Sequence, residues 1–320
     1  MALKFDLKVP IFKFIGLLIF LFLLKYVDWD LYLDLLKHSN PVLILLLVPM
    51  LLFQIWLKVI RWKKFLDISN THYLGKMKEL FQYYMAGLYF SVYSPGRIGD
   101  LLKFNYLRSE NPYSAFFITL IDRLCDLLVL LIMGAFSLLF TFKDEFFNIY
   151  GIIGIFIATP LIIYIVYKYI PVILKKFIPG KREFDLSSVL NINNWKALSE
   201  IILLSFFSIL FFYFRVYIGA YALNLNLSYF SVFLVCSAVS IAVLLPTFAG
   251  FGARESVVWL YFMRFGLNSA NALIFSNLML FITLIDGFAG FIVFLIIPNG
   301  EKIKEEALEE IDEGIQDIKG

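Results

Sequence analysis

The chain reads as an all-α polytopic membrane protein with about six full transmembrane helices and two broken, re-entrant helix pairs, arranged as an inverted-topology repeat. Three observations predict this. Hydrophobic residues fill 61% of the 320 positions and the mean hydropathy is +0.83, more apolar sequence than a soluble domain of this length uses. Several uncharged runs approach the ~20 residues needed to cross a bilayer. Two of the apolar runs stop at a proline, pass through glycines and restart with charge. Such sequence is costly in lipid unless it lines a cavity or a site. The first break is Tyr93-Ser94-Pro95-Gly96-Arg97-Ile98-Gly99-Asp100; the second is Leu245-Pro246-Thr247-Phe248-Ala249-Gly250-Phe251-Gly252-Ala253-Arg254-Glu255.

Taken in order, a first span covers about 9–27 and reads as a retained signal-anchor, because no small-residue cleavage site follows it and further spans do. Asn40-Pro41 is a helix-start signal for a second span at about 41–60. Lys58, Arg61, Lys63, Lys64, Lys76 and Lys78 then form a basic connection. The stretch 80–94 is apolar and tyrosine-rich but short, and 97–108 carries Arg97, Asp100, Lys103 and Arg108, too much charge for a crossing. A re-entrant or interfacial helix pair fits both.

A third span at about 113–142 holds Asp122, Arg123 and Asp126, and a fourth covers about 149–167. The longest connection, 168–200, is basic. The fifth span, about 201–223, carries Arg215; the apolar stretch 229–245 runs into the second break, and a short helix covers 253–265. The sixth span, about 270–297, holds Asp286. The tail 301–320 has eight Asp or Glu against three Lys, with apolar residues at helical spacing, and reads as an acidic amphipathic cytoplasmic segment. Residues 1–300 thus form one membrane domain with halves at about 9–142 and 149–297.

Lysine and arginine counts orient it. With six crossings the basic connections 58–79 and 168–200 and the N-terminal Lys4 and Lys8 share one side, so both termini are expected in the cytoplasm of a multi-pass cell-membrane protein. Counting each broken segment as a full crossing would place a basic connection outside.

Phe117-Ile118-Thr119-Leu120-Ile121-Asp122 recurs as Phe281-Ile282-Thr283-Leu284-Ile285-Asp286, each time in the span that follows a break. Three crossings per half would insert the halves upside down relative to each other, the plan of many transporters.

Four sets of residues can carry function. Arg97, Gly99, Asp100 and Lys103 follow the first proline; a helix start attracts anions, and the two cations suit a phosphate. A lipid anchor at an interfacial helix is the plainer reading. Gly250, Gly252, Arg254 and Glu255 repeat the pattern, the plainer alternative being an ordinary turn with a first-turn acid. Arg123 and Asp126 can pair as i,i+3 neighbours, and Asp122 shares their helix face. Arg215 and Asp286 are unpaired within their own spans and are expected to partner each other or the first-half charges. These last five form an intramembrane charge network, either a structural lock or a gate. Cys125 and Cys236 read as core residues, and His38 and His72 are too isolated for a metal site. No metal, cofactor, catalytic constellation or nucleic-acid partner is expected.

The motifs Pro95-x-Arg97-x-Gly99-Asp100-x-x-Lys103, Asp122-Arg123-x-x-Asp126 and Pro246-x-x-x-Gly250-x-Gly252-x-x-Glu255 resemble the lysylphosphatidylglycerol synthase transmembrane region, also described as flippase-like integral membrane proteins. That family usually carries Glu where this chain has Asp100 and Asp122. The resemblance covers about 10–297 and lacks the soluble aminoacyl-transferase domain and the glycosyltransferase fused to some archaeal members. It implies binding or translocation of a polar lipid, an anionic phospholipid or a polyprenyl-phosphate-linked one, and not lysyl transfer. On that reading the headgroup is met by the first two residue sets, with Arg97, Lys103 and Arg254 at the helix starts. The alternative it leaves is an accessory protein or enzyme working with a separately encoded glycosyltransferase or lipid synthase.

Overall fold

The computed structural model describes residues 30, 37–68, 73–74, 76–109, 112–142, 195–242, 253–267 and 269–297. The expected spans at 9–27 and 149–167, Gly250, Gly252 and the acidic tail lie outside the described residues.

Eight helices account for nearly all of the described chain. Helix α1 (Pro41–Ile68) starts where Asn40 Oδ1 accepts the Val42 N–H at 3.1 Å, a side-chain cap followed by proline at the first helical position. Helix α2 (Met77–Tyr93) ends at the first break, where the chain tightens into a 3-10 helix (Pro95–Tyr106). Two-residue strands β1 (Tyr73–Leu74) and β2 (Arg108–Ser109) pair antiparallel and tie the two ends of this unit together. Then come α3 (Pro112–Thr141), α4 (Trp195–Ala222), α5 (Tyr229–Ala242), α6 (Ala253–Arg264) and α7 (Ser269–Ile296).

Among the described residues, four helices are long and apolar enough to cross a membrane: α1, α3, α4 and α7. Their outward faces are hydrophobic, with Val42 and Leu45 more than 70% exposed, as lipid-facing surface requires. Helices α2 and α5 have 17 and 14 residues. At about 1.5 Å per residue they fall short of the ~30 Å hydrocarbon core.

The basic connection expected after residue 60 is corrected by α1, which continues to Ile68. Lys58 and Arg61 are three residues apart and so share the inward face with Leu47, Leu51, Gln54 and Phe65, whereas Lys63 and Asp67 pair outside at 2.6 Å. A linear charge count cannot separate these faces; the helical period does.

Helices α1 and α4 run in opposite directions. The Asn40 N–H donates to the Ala222 carbonyl at 3.0 Å, setting the start of α1 beside the end of α4. Two apolar cores occupy opposite ends of the bundle. One gathers Leu47, Met133, Val216 and Phe275; the other gathers Phe65, Tyr89, Ile118 and Phe294. Helix α3 therefore runs from the second core to the first, and α7 the reverse. Helix α7 packs on the short helix α2, and α3 packs on the short helix α5. Small residues permit the approach. A Cβ at Gly290 would sit 2.8 Å from the Tyr89 amide nitrogen, and one at Gly134 would sit 3.1 Å from the Ser237 carbonyl oxygen.

Candidate functional site

Between the two cores lies a polar layer. The two copies of the repeated hexamer fold alike within it. Thr119 donates to the Ala115 carbonyl and Thr283 to the Met279 carbonyl, each at 2.8 Å, which fixes the same hydroxyl rotamer one turn before each aspartate. Each aspartate then meets an arginine from another span, Arg61 of α1 or Arg215 of α4.

In the first half, Arg61 Nε donates to Asp122 Oδ1 at 2.7 Å, and its terminal nitrogens clasp Asp126, one of them at 3.0 Å. Ser205 of α4 accepts a further bond at 2.8 Å. Lys103 donates to Asp122 at 2.9 Å and to Asp100 at 3.3 Å. Asp100 and Lys103 stack because residues three apart eclipse in a 3-10 helix. Lys103 Nζ also lies 3.9 Å from the centre of the Tyr84 ring, a cation–π contact that partly replaces its lost hydration. The result is a chain of alternating charge, Asp100–Lys103–Asp122–Arg61–Asp126. Burial pushes the Asp100 carboxyl up, but Lys103, with Arg123 and Lys58, outweighs this and holds it below the ordinary carboxylate range.

The second half is simpler. Arg215 holds Asp286 through both terminal nitrogens, one at 3.1 Å, and Gln54 of α1 accepts at 3.2 Å. Arg254, at the start of α6, donates to Ser276 of α7 at 3.0 Å and binds Glu255, whose carboxylate also accepts from Ser276 at 3.0 Å. Burial raises the Glu255 carboxyl, and Arg254 together with the hydrogen bonds brings it below its usual value.

Beside these groups lies a cavity of about 100 Å³, walled by residues of all seven α-helices. Lys58, Arg123, Asp126, Arg254 and Asp286 reach it alongside Tyr84, Ser91 and Ser240. Among the described residues no His, Cys, Asp and Glu cluster could hold a metal.

The residues singled out from sequence divide accordingly. Asp122, Asp126, Arg215, Asp286 and Arg254 gather in the polar layer. Lys103 and Asp100 lie there too, but both are engaged in ion pairs. The Gly99 amide donates to Ser94 Oγ at 2.7 Å and is not open to an anion. Arg97 takes its place on the 3-10 helix. Arg123 does not hold Asp126, as its i,i+3 spacing suggests; Arg61 does, from another helix. Arg61 and Lys58 are the residues that sequence reasoning missed as site residues. The signal for them was the inward stripe of α1.

Packed apolar spans around a closed polar layer define a polytopic helical membrane protein. The chain belongs to the lysylphosphatidylglycerol synthase TM region family, whose model matches residues 12–295. Comparison with curated proteins gives no match.

Proposed function

We propose that this protein is a flippase-like transporter that binds a polar lipid and moves it between the leaflets of the cell membrane. The observation that carries the reading is the cavity between the two apolar cores. It is lined from both halves by charged and hydroxyl side chains, and ionisable groups inside a membrane domain are retained for substrates or relays. The family's description ties this region to a lipid synthase, which suits a lipid as cargo. The lipid would come from the bilayer or from a separately encoded synthase or glycosyltransferase.

An inverted repeat is the architecture that suits this role. The antiparallel α1 and α4, the exchanged packing of α7 on α2 and α3 on α5, and the matched Arg61–Asp122 and Arg215–Asp286 clasps support it. The short helices α2 and α5 would then be the descending arms of two re-entrant pairs entering from opposite faces, with both termini in the cytoplasm.

Proteoliposomes containing this protein alone test the reading. Exchange of a fluorescent phospholipid between leaflets should run faster than in protein-free vesicles. No acceleration for any headgroup would remove the transport reading, and chemical alteration of the lipid would replace it with an enzymatic one.

A further inference from the structure

Among the described residues the charges of the cavity do not balance, and the imbalance points to what it holds. Asp126 and Asp286 face the cavity, but each is neutralised from behind by an arginine, Arg61 and Arg215. Arg254 is matched by Glu255. Lys58 and Arg123 also reach the cavity; they lie near Asp126 and Asp100, but among the described residues neither makes a hydrogen bond or ion pair. In the first-half network, the cations Lys58, Arg61, Lys103 and Arg123 stand against the carboxylates Asp100, Asp122 and Asp126, an excess of one positive charge. A positive charge in excess of the carboxylates around it is costly in such surroundings.

We infer that Lys58 and Arg123 form the seat for a phosphate-bearing, net-negative lipid headgroup, taking the place that the 3-10 helix cations held in the sequence reading. This rests on the lipid-handling reading above and names its substrate class. Arg123 offers a planar fork that fits two phosphate oxygens, and Lys58 offers a compact point charge from the neighbouring helix α1. The alternating chain behind them supplies no open cation: Lys103 and Arg61 each bridge two carboxylates. A single phosphate monoanion would neutralise the excess. A zwitterionic headgroup brings no net charge and would leave it in place. The hydroxyls of Ser91 and Ser240 on the cavity wall can accept or donate to the remainder of the headgroup.

Native mass spectrometry of the purified full chain, titrated with phosphatidylglycerol, a polyprenyl monophosphate or phosphatidylcholine, tests this. Both phosphate lipids of net negative charge should bind more tightly than phosphatidylcholine. If only one does, it identifies the source of the phosphate. Lys58→Gln and Arg123→Gln should each weaken that binding by about tenfold or more, the loss expected for one charge-assisted bond, without changing phosphatidylcholine binding. Lys58→Arg should recover the preference that Lys58→Gln loses, which separates a charge requirement from a folding defect. Equal affinity for all three lipids, or an undiminished preference in the double Gln variant, overturns the proposal. Discrimination in binding without any leaflet exchange would leave the headgroup seat standing and defeat the transport reading alone. Leaflet exchange without discrimination would do the opposite.

Discussion

Arg61 Nε on α1 meets Asp122 Oδ1 on α3 at 2.7 Å, and both side chains are fully buried. Arg215 on α4 and Asp286 on α7 repeat the relationship in the second half, with the helices running the other way. An isolated charge is costly in such surroundings, so each clasp favours one choice of neighbouring spans. The two clasps differ in redundancy. Asp122 is shared by Arg61 and Lys103, each of which also has a second carboxylate; Arg215 has only Asp286 among the described residues.

That asymmetry predicts an order of stabilities. Asp286→Asn strands Arg215 against the Gln54 amide and should destabilise the fold by about 3–5 kcal/mol, the usual cost of breaking a buried pair from one side. Asp122→Asn leaves Arg61 and Lys103 each a remaining carboxylate and should cost about 1–3 kcal/mol. Replacing both partners, Arg215→Met with Asp286→Leu, should recover most of the first loss. Thermal unfolding in detergent orders the variants, and an unchanged Tm for Asp286→Asn contradicts the clasp.

The contact between α7 and α2 gives a second prediction. A methyl at position 290 would press on the Tyr89 backbone nitrogen at 2.8 Å, and backbone cannot move aside as a side-chain end can. Gly290→Ala should therefore destabilise by about 1–3 kcal/mol, although alanine ordinarily favours a helix. A more stable Gly290→Ala protein would mean that the two helices are not so closely apposed.

Much of this was legible in the sequence. Hydropathy located the described spans to within a few residues at most ends, and the repeated Phe-Ile-Thr-Leu-Ile-Asp marked equivalent places in both halves. Arg215 and Asp286 could be named as partners because each was unpaired in its own span. Arg61 was not legible in the same way, because it follows apolar sequence and sits among other basic residues, which resembles a cytoplasmic flank. Only the register of α1 shows that Arg61 turns inward while Lys63 turns out. The engagement of Lys103 was hidden for another reason: its partners, Asp122 and the Tyr84 ring, come from α3 and α2, and no spacing rule joins three separate elements.

Glu255 supplies a pH prediction. Its carboxyl is held below its ordinary value of 4.5 in the folded protein. A depressed folded pKa means that stability is present above the unfolded pKa and is lost as pH falls through the folded one. The Arg254–Glu255–Ser276 unit should thus contribute fully near neutrality and weaken below about pH 4.5. Wild-type Tm should fall across that acid limb more steeply than the Tm of Glu255→Gln. Parallel curves for the two proteins would show that Glu255 is equally acidic folded and unfolded.

The proposed entry of the two breaks from opposite faces is open to direct labelling. Ser94 ends α2, and its hydroxyl accepts the Gly99 amide, so a cysteine there reports on the first turn of the break without entering the ion-pair chain. In a background carrying Cys125→Ala and Cys236→Ala, Ser94→Cys should react with an impermeant thiol reagent only from the cytoplasmic face. Thr247→Cys, in the second break, should react only from the opposite face. The expectation follows from the proposed inverted repeat, which the antiparallel run of α1 against α4 and the two cores at opposite ends of the bundle support. Labelling of both positions from one side would place the breaks on the same face. The matched arginine–aspartate clasps would then be two copies of a local lock, not the two sides of an alternating-access device.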